Sequence, residues 1–367
     1  MPPGSDPRHA GRVDRSWADR TGATRTAIDD RLTALVGTAA DELRAVDADL
    51  DPVANELQRW VAGGGKRLRP LLVVVGHEAA GGIRDDVLGA AVAVELVHTW
   101  ALLHDDLIDA SATRRGSPTT HRRFTAHHAG NEWSGDADDW GAAVAILLGD
   151  LVAVLADDAF ASMDPTTVDI GPGQAAFSRL RREVMAGQVL DITVAASRDA
   201  DIDRALQVAT LKSGRYSVTR PLELGAVLGG AHADLVAELA DVGDALGVAF
   251  QLRDDLLGMF GDADVTGKPV GDDLREGKRT VLVAEAMARL DSASAATLDA
   301  MLGVRHLDDD TVAEGLALLV SSGAREATSE RMSALVAEAR SRIDELPAGT
   351  ARDDLAALAD LVGTRQS

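Results

Sequence analysis

Val92 to Ile108 reads VAVELVHTWALLHDDLI, and Asp109-Ala110-Ser111-Ala112-Thr113-Arg114-Arg115-Gly116 follows it. The run is too long for one strand, and Val92, Leu96 and Leu103 recur at the three- and four-residue intervals of a helix. An apolar helix that runs straight into Asp105, Asp106 and Asp109 is the feature from which the rest of the chain is read. At about 100° per residue, Asp105 and Asp109 share one face a turn apart, and His98 lies on the same stripe. Carboxylates so placed repel one another and are costly to desolvate unless a positive charge sits between them. Oxygen ligands that leave room for water suit Mg²⁺, which usually bridges onward to phosphate.

The same rhythm extends outward. Ile28, Leu32, Leu35 and Val36 begin one stripe; Leu71, Leu72 and Val75 continue it, and Ala143, Ile146, Leu147, Leu151, Val154 and Leu155 form another. No alternating strand of useful length is present. Gly63-Gly64-Gly65, Gly81-Gly82, Gly171-Pro172-Gly173 and Gly229-Gly230 punctuate the segments as turn signals, and Gly130 to Trp140 reads as a polar, acidic loop. The spacing predicts one all-α domain over residues 26–367. Residues 1–25 are rich in Pro, Gly and Arg without an apolar h-region, and read as a disordered tail rather than a secretory signal.

Composition narrows the function classes. The 367 residues carry 37 Lys and Arg against 59 Asp and Glu, a formal net charge of −22. Such an excess repels nucleic acid and anionic lipid. Cysteine is absent, which removes disulfides and thiolate chemistry and suits a cytoplasmic setting. No stretch reaches 18 uncharged apolar residues, so stable membrane insertion is not expected.

Adjacent aspartates are common here, and most, including Asp272-Asp273, read as solvated helix ends or loops. The exception besides Asp105-Asp106 is Asp254-Asp255, which ends the apolar run Leu246 to Leu252, with Gln251 one turn before the acids. Cations are grouped as well: Gly63-Gly64-Gly65-Lys66-Arg67-Leu68-Arg69-Pro70, then Arg114-Arg115, Lys212-Ser213-Gly214 and Lys268 to Lys278. Glycine-rich loops with cations suit phosphate, but the spacing of a nucleotide-hydrolysing P-loop is missing. Two acid clusters on apolar helices and several cation groups describe an apolar cavity with a metal–diphosphate mouth.

GGGKRLRP (Gly63–Pro70), ELVHTWALLHDDLIDASATRRGSPTTH (Glu95–His121), GQVLD (Gly187–Asp191), LKSGRYS (Leu211–Ser217) and FQLRDDLLGMFGDADVTGKPVGDDLREGKRT (Phe250–Thr280) stand in this order along the chain. In these segments the sequence resembles the trans-type isoprenyl diphosphate synthases, or polyprenyl synthetases, and is most similar to actinobacterial geranylgeranyl diphosphate synthases. The resemblance implies an isoprenoid-synthase helical bundle and a homodimer. It also implies head-to-tail joining of isopentenyl diphosphate to an allylic diphosphate.

Carried over by position, Asp105 and Asp109 would bind two Mg²⁺ ions on the allylic diphosphate, Asp106 would assist, and Asp254 would hold a third, with Mn²⁺ as a substitute. Arg114, Lys212, Lys268 and Lys278 would hold the allylic diphosphate. Lys66, Arg69, His98 and Arg115 would hold the isopentenyl diphosphate. Gln251 and Ser213 would face the developing cation. The family's usual last aspartate of the second motif is Gly258 here, and Gly258→Asp is expected to be tolerated. Trp100, five residues before the first aspartate, stands where the family commonly limits chain length. It lies ~7.5 Å along the helix from Asp105, though rotated by about 140°. A geranylgeranyl product is expected. The alternatives are a farnesyl or longer-chain synthase, a class I terpene cyclase and a non-catalytic subunit of a two-subunit synthase.

Overall fold

The computed structural model describes residues 7–261, 270–304 and 306–364. Among them nearly every element is a helix: α1 Pro7–Val46, α2 Asp51–Ala62, α3 Leu68–Ala79, α4 Leu88–Ile108, α5 Thr120–Gly130, α6 Ala137–Ala161, α7 Ile170–Ser197 and α8 Ile202–Val208. A π-helical stretch, Ala209–Thr219, joins α8 to α9, Arg220–Leu228, and α10 spans Ala233–Phe260. The C-terminal part comprises α11 Asp272–Glu276, α12 Val281–Arg289, α13 Ser292–Met301, α14 Asp309–Ser321, α15 Ala324–Glu345 and α16 Thr350–Thr364. The all-α expectation holds.

α4 lies at the centre. Every residue from Leu88 to Val97 is buried, because its apolar positions run all round the helix rather than along one stripe. It packs along α6, while α3 packs on α9 and α10 on α15. By length and composition α4 and the turn before it are apolar enough to cross a bilayer, yet most of that span is buried inside the protein. A smaller core under the C-terminal helices joins Met259 of α10 to Leu274, Leu282, Val283, Leu298, Met301 and Leu319. Leu274 is fully buried there, and burying one such side chain contributes roughly 1.5–3 kcal/mol. That anchor fixes the short α11 against α10.

Four of the aspartates serve local structure. Asp136, Asp201, Asp291 and Asp308 cap α6, α8, α13 and α14, their side chains accepting bonds from backbone N–H groups of the first turn.

Three boundaries differ from the sequence reading. Residue 25 is not a break: α1 runs through it, Trp17, Thr21 and Thr24 are buried, and Arg20 pairs with Asp354 of α16. The long-range partner holds a segment whose composition reads as a tail. Gly171-Pro172-Gly173 is not a turn but the first turn of α7, where proline's missing N–H has no helical partner to lose. Of the stretch Gly130 to Trp140, only residues 131–136 connect helices. Trp133 and Trp140 pack edge to face, with centroids 5.1 Å apart.

Candidate active site

Arg114 and Arg115 owe their placement to a hairpin too short for any alternation to reveal. β1, Thr113–Arg114, pairs antiparallel with β2, Ser117–Pro118. The two central residues, Arg115 and Gly116, both have positive φ, 51° and 72°, as a two-residue turn of the type I′ class requires. This folds Arg114 back onto α4, where its Nε donates to Asp106 Oδ1 at 2.7 Å and its guanidinium lies 3.8 Å from Asp105.

The other wall comes from α7 and the π-helical stretch. Lys212 Nζ donates to Asp191 Oδ2 at 2.6 Å and to Asp105 Oδ1 at 3.4 Å, and Gln188 donates to Asp105 at 3.0 Å. The close approach needs glycine: a β-carbon on Gly187 would stand 2.4 Å from the Lys212 backbone nitrogen. The wide π turn carries Lys212 and Ser213 to this wall, a conformation that recurs at functional sites.

These walls, with α10 and the segment around α11, enclose a cavity of about 830 Å³. Asp105, Lys212, Ser213, Gln251, Asp254, Lys66 and Lys278, all anticipated from the sequence, line it. Asp191, Asp255 and Asp273 line it as well, with Val208, Ala209, Phe250, Leu257 and Val281 as apolar wall. Asp105 of the first acid cluster and Asp254 and Asp255 of the second therefore open into one space.

The electrostatics are those of a carboxylate set short of positive charge. Burial pushes Asp105 up, but Lys212, Arg114 and Lys278 outweigh it and hold this carboxyl below its usual range. Burial and the neighbouring Asp105 push Asp109 up to about 6, against Lys212 and Lys278. Burial raises Asp106 to about 6 despite Arg114, and its Oδ2 is buried with no partner. Burial and Asp273 raise Asp255 to about 8, although Gln251 donates to it at 2.6 Å. Among the described residues no three carboxylate or imidazole groups converge into a closed metal cage. The donor set fits a hard cation that completes its shell with water and a ligand's oxygens, and Asp106 Oδ2 is an unused acceptor beside it.

The cations assigned to a second diphosphate also gather. Arg69 donates to Ser217 Oγ at 2.7 Å and stacks over Tyr216 at 4.8 Å, and Arg115 donates to the Gly64 carbonyl at 3.1 Å. Lys66 and Arg69 act on Asp254 from this side. His98 lies among them. Burial and the charges of Arg69, Arg114, Arg115 and Arg67 hold its pKa well below the ordinary value, so it is a neutral imidazole.

Two sequence expectations fall elsewhere. Lys268 lies outside the described residues. Trp100 is not among the residues that line this cavity; its ring meets His104 edge to face, at 5.7 Å.

Two sequence readings are corrected. Asp272-Asp273 is not a solvated pair, since Asp273 is 6% exposed and faces the cavity. Gly258 does not face open space: a β-carbon there would stand 2.1 Å from Asp273 Oδ2, so a side chain at this position requires the Asp273 carboxylate to move. Asp191 was legible only as part of the quoted segment Gly187–Asp191, and nothing in the sequence distinguished Asp273 from the other paired aspartates.

The family model described as polyprenyl synthetase matches residues 51–319. A short chain isoprenyl diphosphate synthase from Methanothermobacter thermautotrophicus is 30% identical over 330 residues, covering 89% of this chain and 95% of that protein. A (2E,6E)-farnesyl diphosphate synthase from Mycobacterium bovis is 36% identical over 264 residues, 71% of this chain and 68% of that one. Among solved structures, geranylgeranyl pyrophosphate synthase from Corynebacterium glutamicum, complexed with isoprenyl diphosphate and magnesium, superposes with a TM-score of 0.86. It is 35% identical, covering 93% of this chain and 98% of that one. The chain belongs to the polyprenyl synthetase family and is a prenyltransferase of the isoprenyl diphosphate synthases.

Proposed function

We propose that this prenyltransferase joins isopentenyl diphosphate head-to-tail to allylic diphosphates and releases geranylgeranyl diphosphate. The observation that carries the reading is the shared cavity: Asp105 with Lys212 on one wall, Asp254 with Lys66 on the other, over an apolar lining. Asp105, Asp109 and Asp254, with Asp106 assisting, would hold Mg²⁺, three ions in the full complex, with Mn²⁺ able to replace it. Bound there, the metal supplies positive charge to the diphosphate oxygens, offsetting a repulsion of about 4 kcal/mol per unit-charge pair at 4 Å and an effective dielectric near 20.

The chain's own groups do the rest. Arg114 and Lys212 hold the allylic diphosphate and stabilise the charge that grows on it as the allylic C–O bond breaks. Lys278 closes the charged mouth. Lys66, Arg69 and Arg115 hold the second diphosphate so that its double bond reaches the allylic carbon, with neutral His98 available to donate or accept a hydrogen bond. Gln251 and the Ser213 hydroxyl present oxygen dipoles to the developing cation. Phe250, Leu257 and Val281 exclude the water that would otherwise capture it. No side chain stands out as the base, and the departing diphosphate suffices for the proton.

A geranylgeranyl product, C20, is supported by the likeness to the Corynebacterium enzyme; farnesyl and geranylfarnesyl synthases among the relatives make C15 and C25 the competing outcomes. Incubation with isopentenyl diphosphate, Mg²⁺ and C5, C10 or C15 acceptors should accumulate C20. A C15 or C25 end product overturns the length, and no elongation overturns the reading. Asp105→Ala should lower turnover by about 10²–10⁴-fold. Full turnover after thorough chelation refutes the metal requirement.

The same reading makes the enzyme a homodimer. Ile146, Leu147 and Val154 on α6 and Met185, Val189 and Ile192 on α7 are 42–67% exposed, an apolar surface that supports self-association. Sedimentation at twice 38.3 kDa is expected; a monomer at micromolar concentration refutes it.

A further inference from the structure

Glu56 stands on α2, ten residues before Lys66, and is only 4% exposed. Its Oε1 accepts from Arg59 Nη2 at 2.5 Å and from Thr120 Oγ1 at 2.6 Å. Its Oε2 accepts from Arg59 Nε at 2.7 Å and lies 3.0 Å from Arg123 Nε. Thr120 and Arg123 belong to α5, and Trp60 of α2 donates from Nε1 to the same Thr120 hydroxyl at 2.9 Å. Burial raises the carboxyl, but the bonds from Arg59 and Thr120 and the charges of Arg59 and Arg123 outweigh it and hold Glu56 below its usual range. A buried charge whose oxygens are all engaged is held in one geometry, and removing a partner is costly.

The two helices joined at Glu56 carry the two arms of one cationic cluster. α2 ends at Ala62, and three glycines lead from it to Lys66 and Arg69. α5 begins at Thr120, directly after the hairpin that presents Arg114 and Arg115. Thr119 closes that hairpin, its N–H donating to the Ala112 carbonyl at 3.2 Å and its hydroxyl to the Ser111 carbonyl at 2.8 Å. Arg115 then reaches across to the Gly64 carbonyl at 3.1 Å. Glu56, Gly64, Arg115 and Thr120 thus stand on a closed ring with two cross-links. The Arg115 link is exposed, and it opens when the guanidinium turns to a diphosphate. The buried Glu56 junction is left to hold the spacing of the arms.

We infer that Glu56 is a positioning residue for isopentenyl diphosphate, fixing through Thr120 and Arg123 the distance between the Lys66–Arg69 arm and the Arg115 arm. It does not line the catalytic cavity and acts only through these cations. The inference deepens the reading that they hold the second diphosphate, and rests on it. The allylic cations are fastened elsewhere, Arg114 to Asp106 of α4 and Lys212 to Asp191 of α7. Loss of the Glu56 junction should therefore fall on one substrate.

Initial rates of the purified full chain with Mg²⁺ test this, each substrate being varied while the other is saturating. Glu56→Gln keeps the size of the side chain and removes the charge that holds Arg59 and Arg123. It should raise KM for isopentenyl diphosphate by about tenfold or more, the scale on which a small remote displacement tells, and leave the allylic KM within about threefold. Thr120→Val should give the same one-sided rise, whereas Thr120→Ser, which keeps the hydroxyl, should match the parent. Because both changes cut one link, Glu56→Gln with Thr120→Val should cost little more than the larger single effect. A residue that only stabilised the fold would lower the thermal midpoint and the active fraction and leave both KM values unchanged. Equal rises for the two substrates, or a parent-like KM in folded Glu56→Gln, overturn the assignment; if Glu56→Gln does not fold, the two Thr120 variants decide it. Arg115→Ala separates the inference from the reading beneath it. If Arg115→Ala leaves the isopentenyl diphosphate KM unaltered, the second diphosphate site and this inference both fall. If Arg115→Ala raises that KM and Glu56→Gln does not, the positioning role alone falls.

Discussion

Lys212 Nζ lies 2.6 Å from Asp191 Oδ2, a contact that ties the π-helical stretch to α7 one step behind the first acid cluster. Asp191 thereby sets where the lysine points. Burial pulls Lys212 down, but Asp105, Asp191 and Asp109 outweigh it and keep the ammonium charged. The same Nζ reaches Asp105 at 3.4 Å, so the lysine is shared between a carboxylate that orients it and one assigned to metal.

Asp191→Ala should therefore weaken catalysis without unfolding the chain. Asp105 remains as a partner for Lys212, and both Lys212 and Asp191 are partly solvated, at 21% and 25% exposure. Freed from α7, Lys212 is expected to close further onto Asp105 and away from the allylic diphosphate. The expected result is a fall in kcat/KM for the allylic substrate of about 10–100-fold, with a smaller change for isopentenyl diphosphate. Asp191→Glu should recover part of it. Equal losses for both substrates would separate Asp191 from the allylic side.

The pH profile should carry an acid limb far above that of ordinary aspartates. Asp109 is raised to about 6 by burial and Asp105, and Asp106 is raised to about 6 by burial. Both must be ionised to hold a cation, and below their pKa they are protonated. Log kcat/KM, measured at fixed subsaturating Mg²⁺, should fall as pH drops through about 6. Raising Mg²⁺ should move the limb to lower pH, because the metal competes with protons for the same oxygens. A profile flat down to pH 5 would mean that neither carboxyl is raised in the working enzyme.

The long apolar runs and their acidic ends were legible because α4 and α10 are continuous apolar segments too long for strands, and Asp105 and Asp254 inherit their placement from the helical register at the ends of those runs. Arg114 was legible as a residue but not as a geometry. A hairpin with two residues per strand has no period to detect, and only the positive φ of Arg115 and Gly116 explains the aim of the side chain. Lys212 follows an i→i+5 turn that helical spacing does not anticipate. Asp273 was invisible for a different reason. Among so many paired aspartates, burial is decided by the Leu274 anchor and by the space above Gly258, both of which exist only once α10 and α11 meet.

Arg67 tests the stability of the cationic loop apart from its chemistry. Its Nε donates to Asp29 at 2.7 Å and its Nη1 to Glu95 at 2.6 Å, and both Arg67 and Glu95 are buried. Arg67→Met leaves the Glu95 carboxylate buried without its cation, which costs roughly 3–5 kcal/mol. Adding Glu95→Gln should return more than half of that loss, since a neutral amide is cheaper to bury. Urea midpoints at constant m-value measure both. A loss below about 1 kcal/mol for the single variant would show that water reaches Glu95.

Product length provides the last test. Trp100 stands five residues before Asp105 on α4, ~7.5 Å further along the helix, half-buried and packed against the main core with its ring against His104. His104 is itself bound to α6: its Nε2 lies 3.3 Å from the Ile146 carbonyl. The expectation carried from the sequence is that the chain growing away from Asp105 runs down this side of α4 and meets the space beside His104 that the indole fills. Trp100→Ala leaves Asp105, Lys212 and Arg114 untouched and opens that space, so the products should lengthen by at least one C5 unit, with an unchanged dependence on Mg²⁺ concentration. The variant should also lose stability, by less than the roughly 3–5 kcal/mol typical of a fully buried tryptophan, because the ring is only half-buried. Lower stability with the parent's product spectrum would make Trp100 a packing residue alone and put the floor of the chain-length pocket on another helix.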